Sequence, residues 1–314
     1  RNKIIYGNDV VTLYKYDKET FRLESLTTKR ITDNSLLQEL HYNYDSVGNI
    51  TRMEDKAIPA VFHNNMQINA VNKYSYDALY RLTEASGREL DSPIGFNSID
   101  NWNDAPYMHQ YNPGGPMALR EYTQSYTYDA VGNILQMEHN RGSANMWKRD
   151  YTYETVNNRL IRTQVGSVVY PYHHHEKHGF LCTENDPDNP GVILKGLPHM
   201  EVMRWNFKEQ LHASSTQNVT SGVPETTYYQ YDSQGQRVRK ITEKEAVSED
   251  LVLKREERIY ISGYELYIKH RGTNEGLKRE SLSLMDKEHR FVMVETRNGI
   301  EDGTDKRLVR YQLH

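Results

Sequence analysis

The feature that most narrows what this chain can fold into is the short unit Tyr126-Thr127-Tyr128-Asp129, followed by Gly132-Asn133-Ile134. Two tyrosines two residues apart share one face of an extended strand. The aspartate ends that strand, because its carboxylate accepts backbone N–H groups ahead of it and starts a turn. Gly132 supplies a left-handed backbone position without steric cost, and Asn133 tolerates the same region. Ile134 restarts a β-favouring run, so the unit predicts a β-hairpin with a loop of about four or five residues.

The unit recurs as Tyr14-Lys15-Tyr16-Asp17, Tyr42-Asn43-Tyr44-Asp45, Tyr74-Ser75-Tyr76-Asp77, Tyr151-Thr152-Tyr153-Glu154 and Tyr229-Gln230-Tyr231-Asp232. The turn glycine is kept as Gly48, Gly132 and Gly235, while Arg81-Leu82 and Arg159-Leu160 open the return strand in two other copies. A diverged copy is expected at Arg204–Leu211, with Trp205 and Phe207 in the aromatic slots. Recurrence at a nearly fixed internal offset is the signature of a repeat architecture.

Between the repeats the pattern stays strand-like. Residues 10–14 alternate, residues 257–268 read as a hairpin about Ser262-Gly263, and Arg297-Asn298-Gly299 is a turn signal between two of the last strands. No segment of twelve or more residues holds a clean helical period. Two stretches, about 91–120 and 170–200, are dense in Pro or Gly and read as irregular excursions. The expectation is an all-β fold: one continuous domain over 1–314, a wide, curved, mostly antiparallel sheet, since sheets beyond about ten twisted strands curl, split or close. Unequal repeat spacing argues against the identical blades of a β-propeller.

Composition narrows the function classes. Apolar residues make up 37% and charged residues 26%, yet the chain has 24 Tyr in ordered repeats. Tyrosine buries a ring while its hydroxyl stays hydrogen-bonded, which suits a thin sheet. A net charge of -4 gives no basic footprint for nucleic acid. No run of 18 apolar residues is long enough for a membrane span. Cys182 is the single cysteine and permits no internal disulfide. Both ends start or stop within a pattern, which reads as a fragment of a longer protein.

Chemical motifs are sparse. His173-His174-His175-Glu176-Lys177-His178 invites a metal reading, but adjacent residues of an extended chain point to opposite sides, so a solvated loop is expected. Asp186-Pro187-Asp188 imitates the start of a calcium loop, but Pro190 and Leu197 stand where oxygen ligands are needed. Glu243-Lys244-Glu245 has the spacing of paired catalytic glutamates without supporting residues. Cys182 with His178 upstream reads as an inert thiol rather than a nucleophile pair. The repeat aspartates, each tied to its own turn, read as turn formers. No catalytic residue, cofactor or metal is therefore expected.

The repeats resemble those of the YD-repeat, or Rhs, family. Tyr6-Gly7-Asn8, Val61-Phe62-His63-Asn64-Asn65, residues 78–89 and residues 223–229 resemble one branch of it: the large B and fused B–C proteins of insecticidal toxin complexes, of the SpvB-like and TcdB-like kind. The resemblance implies a strip of a spiralling hollow shell that encloses a C-terminal toxin, with the remaining shell segments, the toxin polypeptide and a pore-forming component as partners, in a secreted or cell-surface protein. The family's aspartic self-protease core and pore-docking propeller match no residues here. The rival expectation is a carbohydrate-binding or adhesive YD module, because rows of tyrosines on sheets also stack on ligands.

Overall fold

The computed structural model describes residues 2–90, 119–141, 144–217, 219–286 and 289–311. The first predicted excursion lies, up to residue 118, outside the described residues. Among the described residues the chain is β-strand and turn, with one three-residue 3-10 helix at Glu249–Leu251. Among these residues no helix is long and apolar enough to cross a membrane.

The first large sheet has twelve strands. They are Lys3–Ile5, Val10–Tyr16, Leu23–Arg30, Leu36–Tyr44, Ile50–Asp55, Val71–Tyr76, Leu82–Leu90, Leu119–Tyr128, Ile134–Arg141, Ala144–Tyr153, Leu160–Val165 and Val168–Pro171. The second has nine strands. They are Val202–Trp205, Leu211–Ser215, Thr226–Tyr231, Arg237–Glu243, Lys254–Ile261, Tyr264–Lys269, Lys278–Asp286, His289–Arg297 and Arg307–Tyr311. In both, spatial order follows chain order, so each strand pairs with its sequence neighbour in the sheet. Among the described residues the first sheet is interrupted by the hairpin Val61–His63 with Met66–Ile68, which packs on Leu119–Tyr128 and buries Ile68 completely.

The all-β antiparallel expectation holds, but the single continuous sheet over 1–314 does not. The strands divide into these two ladders, and the chain clusters into the units Arg1–Val169 and Tyr170–His314. Pro171, Pro187, Pro190 and Pro198 account for the interruption, since proline cannot donate to a ladder. The second excursion instead forms a small hairpin, Glu184–Asn185 with Ile193–Leu194, and a bridge between His174 and Leu181.

Each sheet is stabilised more by edges and pairs than by a thick core. The buried apolar side chains are few: Val11, Val61, Ile68, Ala85, Tyr170, Cys182, Ala213 and Leu277. Buried threonines pair across strands, Thr12 with Thr28 at 2.8 Å and Thr227 with Thr242 at 3.0 Å. A buried arginine organises the last connection: the Arg297 guanidinium donates to the carbonyls of Asn298, Ile300 and Thr304 and thereby folds the loop leading into Arg307–Tyr311.

Five of the repeat turns place one residue in left-handed backbone three positions after the acid or its equivalent: Gly48 at φ 114, Gly132 at 101, Gly235 at 81, Tyr80 at 62 and Glu209 at 60; in the Asp17 turn it is Phe21, one position later. Nothing lies within 4 Å of a Cβ built at Gly132, so strain there comes from the backbone alone. Gly132→Val is therefore expected to destabilise by about 1 kcal/mol or more, and Tyr80→Gly to be neutral or stabilising by up to about 1 kcal/mol. Gly299→Val, in open space without positive φ, is the control and is expected to cost little. Thermal or urea melts of the three variants check the order.

Candidate functional site

The repeat turn is one device built many times. Asp129 Oδ1 accepts the backbone N–H of Val131, Gly132 and Asn133 at 3.0, 2.8 and 2.8 Å, and Asn133 Nδ2 donates to Oδ2 at 2.8 Å. Asp45 does the same with Val47, Gly48 and Asn49 at 3.0, 2.7 and 2.9 Å. Asp77 takes Leu79 N and Arg81 N, Asp232 takes Gln234 N and Gln236 N, and Asp17 takes Glu19 N and Thr20 N. Glu154 is one methylene too long for this turn. Its carboxylate accepts from Asn157 Nδ2, and Asn157 Oδ1 accepts Arg159 N instead. The turn is closed by a backbone pair, as in Asp129 N to Asn133 O at 2.9 Å.

Every repeat also carries a β-bulge at its second aromatic. Tyr128 pairs with Ile134 while Thr127 pairs with Gln136, so Leu135 is the extra residue on the return strand. The same shift falls at Tyr16, Tyr44, Tyr76, Tyr153 and Tyr231. It also falls at Trp205, which corrects the placement of the diverged copy. Trp205 occupies the second aromatic slot and Asn206 the acid slot, with Asn206 Oδ1 accepting Lys208 N and Gln210 N. Phe207 is not in an aromatic slot at all: it sits in the turn, 92% exposed.

The second tyrosine joins one repeat to the repeat before it. Tyr44 Oη donates to Leu23 O at 2.8 Å, Tyr76 to Ile50 O at 2.8 Å and Tyr128 to Leu82 O at 2.6 Å. Tyr153 donates to Ile134 O at 3.0 Å and Tyr231 to Leu211 O at 2.9 Å. The registers explain the choice of carbonyl. Backbone pairing between the return strand and the next strand ends at Glu84–Ser125, two residues after Leu82 and three before Tyr128. The same offsets hold at Ser25–His41, Arg52–Lys73, Gln136–Asp150 and Ala213–Tyr228. The phenol thus continues the ladder one step past its last backbone pair. Trp205 Nε1 makes the equivalent bond to Leu181 O at 2.7 Å.

Arginines at the end of a turn reach the other way, into the following repeat. Arg22 donates to Asp45 O at 2.7 Å and to Ser46 O at 3.2 Å, with its guanidinium 5.6 Å from the Tyr44 ring centroid. Arg81 binds its own Asp77 at 2.7 Å, donates to Asp129 O at 3.0 Å and covers the Tyr128 ring at 4.7 Å.

The environment tunes these groups in opposite senses. Burial pushes the hydroxyls of Tyr44, Tyr76, Tyr128, Tyr153 and Tyr231 above the ordinary phenol value and keeps them neutral donors. The carboxyls of Asp45 and Asp129 are raised by burial, but the donors from Asn49 and Asn133 and from the turn amides outweigh it and hold both below the usual range. Asp17 and Asp77 lie below it chiefly through the backbone N–H of Thr20 and Arg81.

Of the repeat residues chosen from sequence, Tyr44, Tyr76, Tyr128, Tyr153 and Tyr231 make the seam bonds and the aspartates cap the turns. Tyr42, Tyr74, Tyr126, Tyr151 and Tyr229 line the strands half-buried, Tyr14 likewise, and Tyr16 is exposed. Hydroxyl destinations, forward-reaching arginines and the tryptophan seam were not visible in sequence; the Leu or Ile that starts the return strand at Leu23, Ile50, Leu82, Ile134 and Leu211 is the signal that marks the acceptor carbonyl.

The three adjacent histidines are half-buried and take different partners. His174 Nδ1 is 3.0 Å from Gly179 O, while the His175 and His178 rings stack at 3.9 Å. His173 turns elsewhere, 2.5 Å from Glu184. Cys182 is buried, and burial followed by the Glu184 charge pushes its thiol up to about 11, which suits an inert thiol rather than a nucleophile. Asp186 accepts Asp188 N at 2.9 Å in an ordinary turn. Glu243 ends a strand opposite Lys254, and Glu245 accepts from Gln217.

No family model matches the chain. It is 29% identical over 249 residues to the toxin subunit YenC2 of Yersinia entomophaga, covering 76% of this chain and 23% of that protein. It is 27% identical over 272 residues to the toxin subunit YenC1 of the same organism, covering 85% and 26%. The chain thus spans about a quarter of the length of these curated relatives. A crystal structure of TcdB2-TccC3 superposes with a TM-score of 0.71 at 24% identity, covering 99% of this chain and 14% of that one. A Photorhabdus luminescens Tc holotoxin pore gives 0.67 at 24% identity over the same shares.

Two expectations follow from the seam. Tyr128→Phe keeps the ring but leaves Leu82 O without its donor, and is expected to cost about 0.5–1.5 kcal/mol in a urea melt. The pH dependence follows from the two shifts. The aspartates lie below their unfolded value of about 3.9, so their stabilisation is present above it and lost as pH falls through the folded values. The tyrosines lie above about 10, so theirs is complete below that pH and lost as pH rises through the folded values. The melting temperature is expected to be level between about pH 5 and 9 and to fall on both sides; a scan across pH checks it.

Proposed function

We propose that this chain, a YD-repeat (Rhs) protein of the toxin-complex type, is a shell-forming segment of a protein that encloses and delivers a toxic polypeptide. The observation that carries the reading is the seam. Five repeats are tied to the strand before them by the same hydroxyl-to-carbonyl bond, so within each ladder strands are added one after another in chain order, as a wall built from repeats requires. The kinship with toxin subunits supplies the context. The partners proposed are further shell segments of the parent protein, the enclosed polypeptide, and a pore-forming component docked through domains outside this chain. A secreted location goes with that role.

The segment is proposed to be catalytically inert. The described residues of the repeats are committed to turns and seams, and the charged residues near them pair locally. A carbohydrate-binding strip finds little support, because such a strip needs open tyrosine rows, whereas the second tyrosine of five repeats spends its hydroxyl on the neighbouring strand.

The test uses the full-length parent protein. Its C-terminal polypeptide is expected to resist added protease, and to become sensitive when Tyr128 and Tyr153 are both replaced by alanine. Equal sensitivity of wild type and double variant, starting from an unprotected wild type, would overturn the proposal. So would reproducible micromolar binding of the 314-residue chain to one sugar class on a glycan array, lost on replacing Tyr126 and Tyr128 without unfolding.

A further inference from the structure

The segment 172–200 poses a stability problem that its own side chains do not solve. It has three prolines, one hairpin with two-residue strands, and only Cys182 and Gly196 buried. It is held to the neighbouring strand by Thr183 N to Met203 O and by Trp205 Nε1 to Leu181 O, and a stretch with so little apolar core of its own gains most from an added cross-link or metal.

Three donor groups of different chemistry converge inside it. The ligand atoms of His173, Cys182 and Glu184 all lie within 4.8 Å of one another. His173 Nε2 is 2.5 Å from Glu184 Oε1. The backbone fixes all three. His173 N donates to Lys195 O at 3.0 Å, Cys182 N donates to His173 O at 3.2 Å, and Glu184 pairs directly with Leu194. Gly196 lies so close that a Cβ there would stand 2.6 Å from Cys182 N, so the cysteine backbone has no room to drift. Cys182 closes the inner side of the cluster at 5% exposure, while His173 and Glu184 remain half-buried and leave one side open to solvent.

We propose that His173, Cys182 and Glu184 form a zinc site that staples this segment, with the fourth position open to water. One nitrogen, one sulfur and one oxygen donor match the ligand set of zinc better than that of calcium or magnesium, which take oxygen alone. Zinc–nitrogen and zinc–oxygen bonds of about 2.0–2.2 Å set tetrahedral ligands about 3.3 Å apart, so the ion enters by parting His173 and Glu184 by less than about 1 Å and by drawing in the Cys182 sulfur, since the three ligand atoms now span up to 4.8 Å. The thiol gives its proton to solvent on binding and ligates as thiolate; no electron transfer is involved. His174, His175 and His178 take no part, since their rings are engaged with Gly179 and with each other.

The experiment titrates the 314-residue chain, stripped by a chelator, with cobalt(II) and then zinc. One equivalent of cobalt is expected to give a thiolate-to-cobalt charge-transfer absorption that zinc abolishes. Cys182→Ser is expected to lose the absorption while far-UV circular dichroism shows the sheets intact. Glu184→Gln, which keeps the thiolate, is expected to weaken binding at least tenfold, and serves as the deciding variant if Cys182→Ser unfolds. A His175→Ala, His178→Ala double variant is expected to bind as wild type. Absence of the absorption in wild type, its survival in Cys182→Ser, undiminished affinity in Glu184→Gln, or loss of the site in the double histidine variant would each overturn the proposal.

Discussion

The bond from a repeat tyrosine to the first carbonyl of the preceding return strand is the interaction on which the rest of the sheet depends. A bulge beside the turn bends the strand and ends backbone pairing early. That leaves a carbonyl at the rim, such as Leu82 O, facing a neighbour strand whose next backbone donor is out of reach. An unpaired polar group at a strand end is costly and invites fraying. Tyr128 resolves this with one side chain: its ring covers the sheet while its hydroxyl, 2.6 Å from the carbonyl, stands in for the missing amide. Phenylalanine would cover the sheet without the bond, and serine would not span the gap.

The turn acid serves the same end from the other side. By taking three amides at once, Asp45 and Asp129 fix the direction in which the chain re-enters the sheet. Re-entry direction sets where the acceptor carbonyl points, and so whether the next tyrosine can reach it. Arg22 and Arg81 link both parts, binding the following turn through its carbonyls while stacking on its tyrosine. Turn, bulge and seam are thus one unit, which explains why the spacing from tyrosine to acid to return strand is so regular while the loops between repeats vary.

Much of this was legible in the sequence because it is local. Tyr-x-Tyr-Asp with a glycine three residues on dictates a strand, a turn and a return within a dozen residues. The seam was not legible because it is remote: Tyr128 and Leu82 are 46 positions apart, with residues 91–118 between them. Residue type misled at the diverged copy. Phe207 is the obvious aromatic, yet position relative to the bulge assigns the slot to Trp205, whose indole N–H has the donor that phenylalanine lacks. The division into two ladders was signalled by the prolines of the second excursion, but their consequence for sheet continuity depends on whether strands resume pairing across them. His173, Cys182 and Glu184 lie in irregular chain, where no period indicates which side chains meet.

A sheet stabilised this way has properties that a thick core would not give. Its cohesion is distributed along the strip in neighbour-to-neighbour terms, as in other repeat architectures, rather than concentrated in a centre that sets a maximum size. Few apolar side chains need to be buried, which reconciles 37% apolar content with an ordered fold. The tyrosines carry the remainder, because each supplies apolar area and a directed hydrogen bond together. Where the repeat lapses, between Pro171 and Val202, the seam is reduced to the Trp205 bond to Leu181 O, and the buried set shrinks to one cysteine and one glycine. It is in this stretch that a histidine, a cysteine and a glutamate converge, the place where a polar cross-link would add most to a segment with so few repeat contacts.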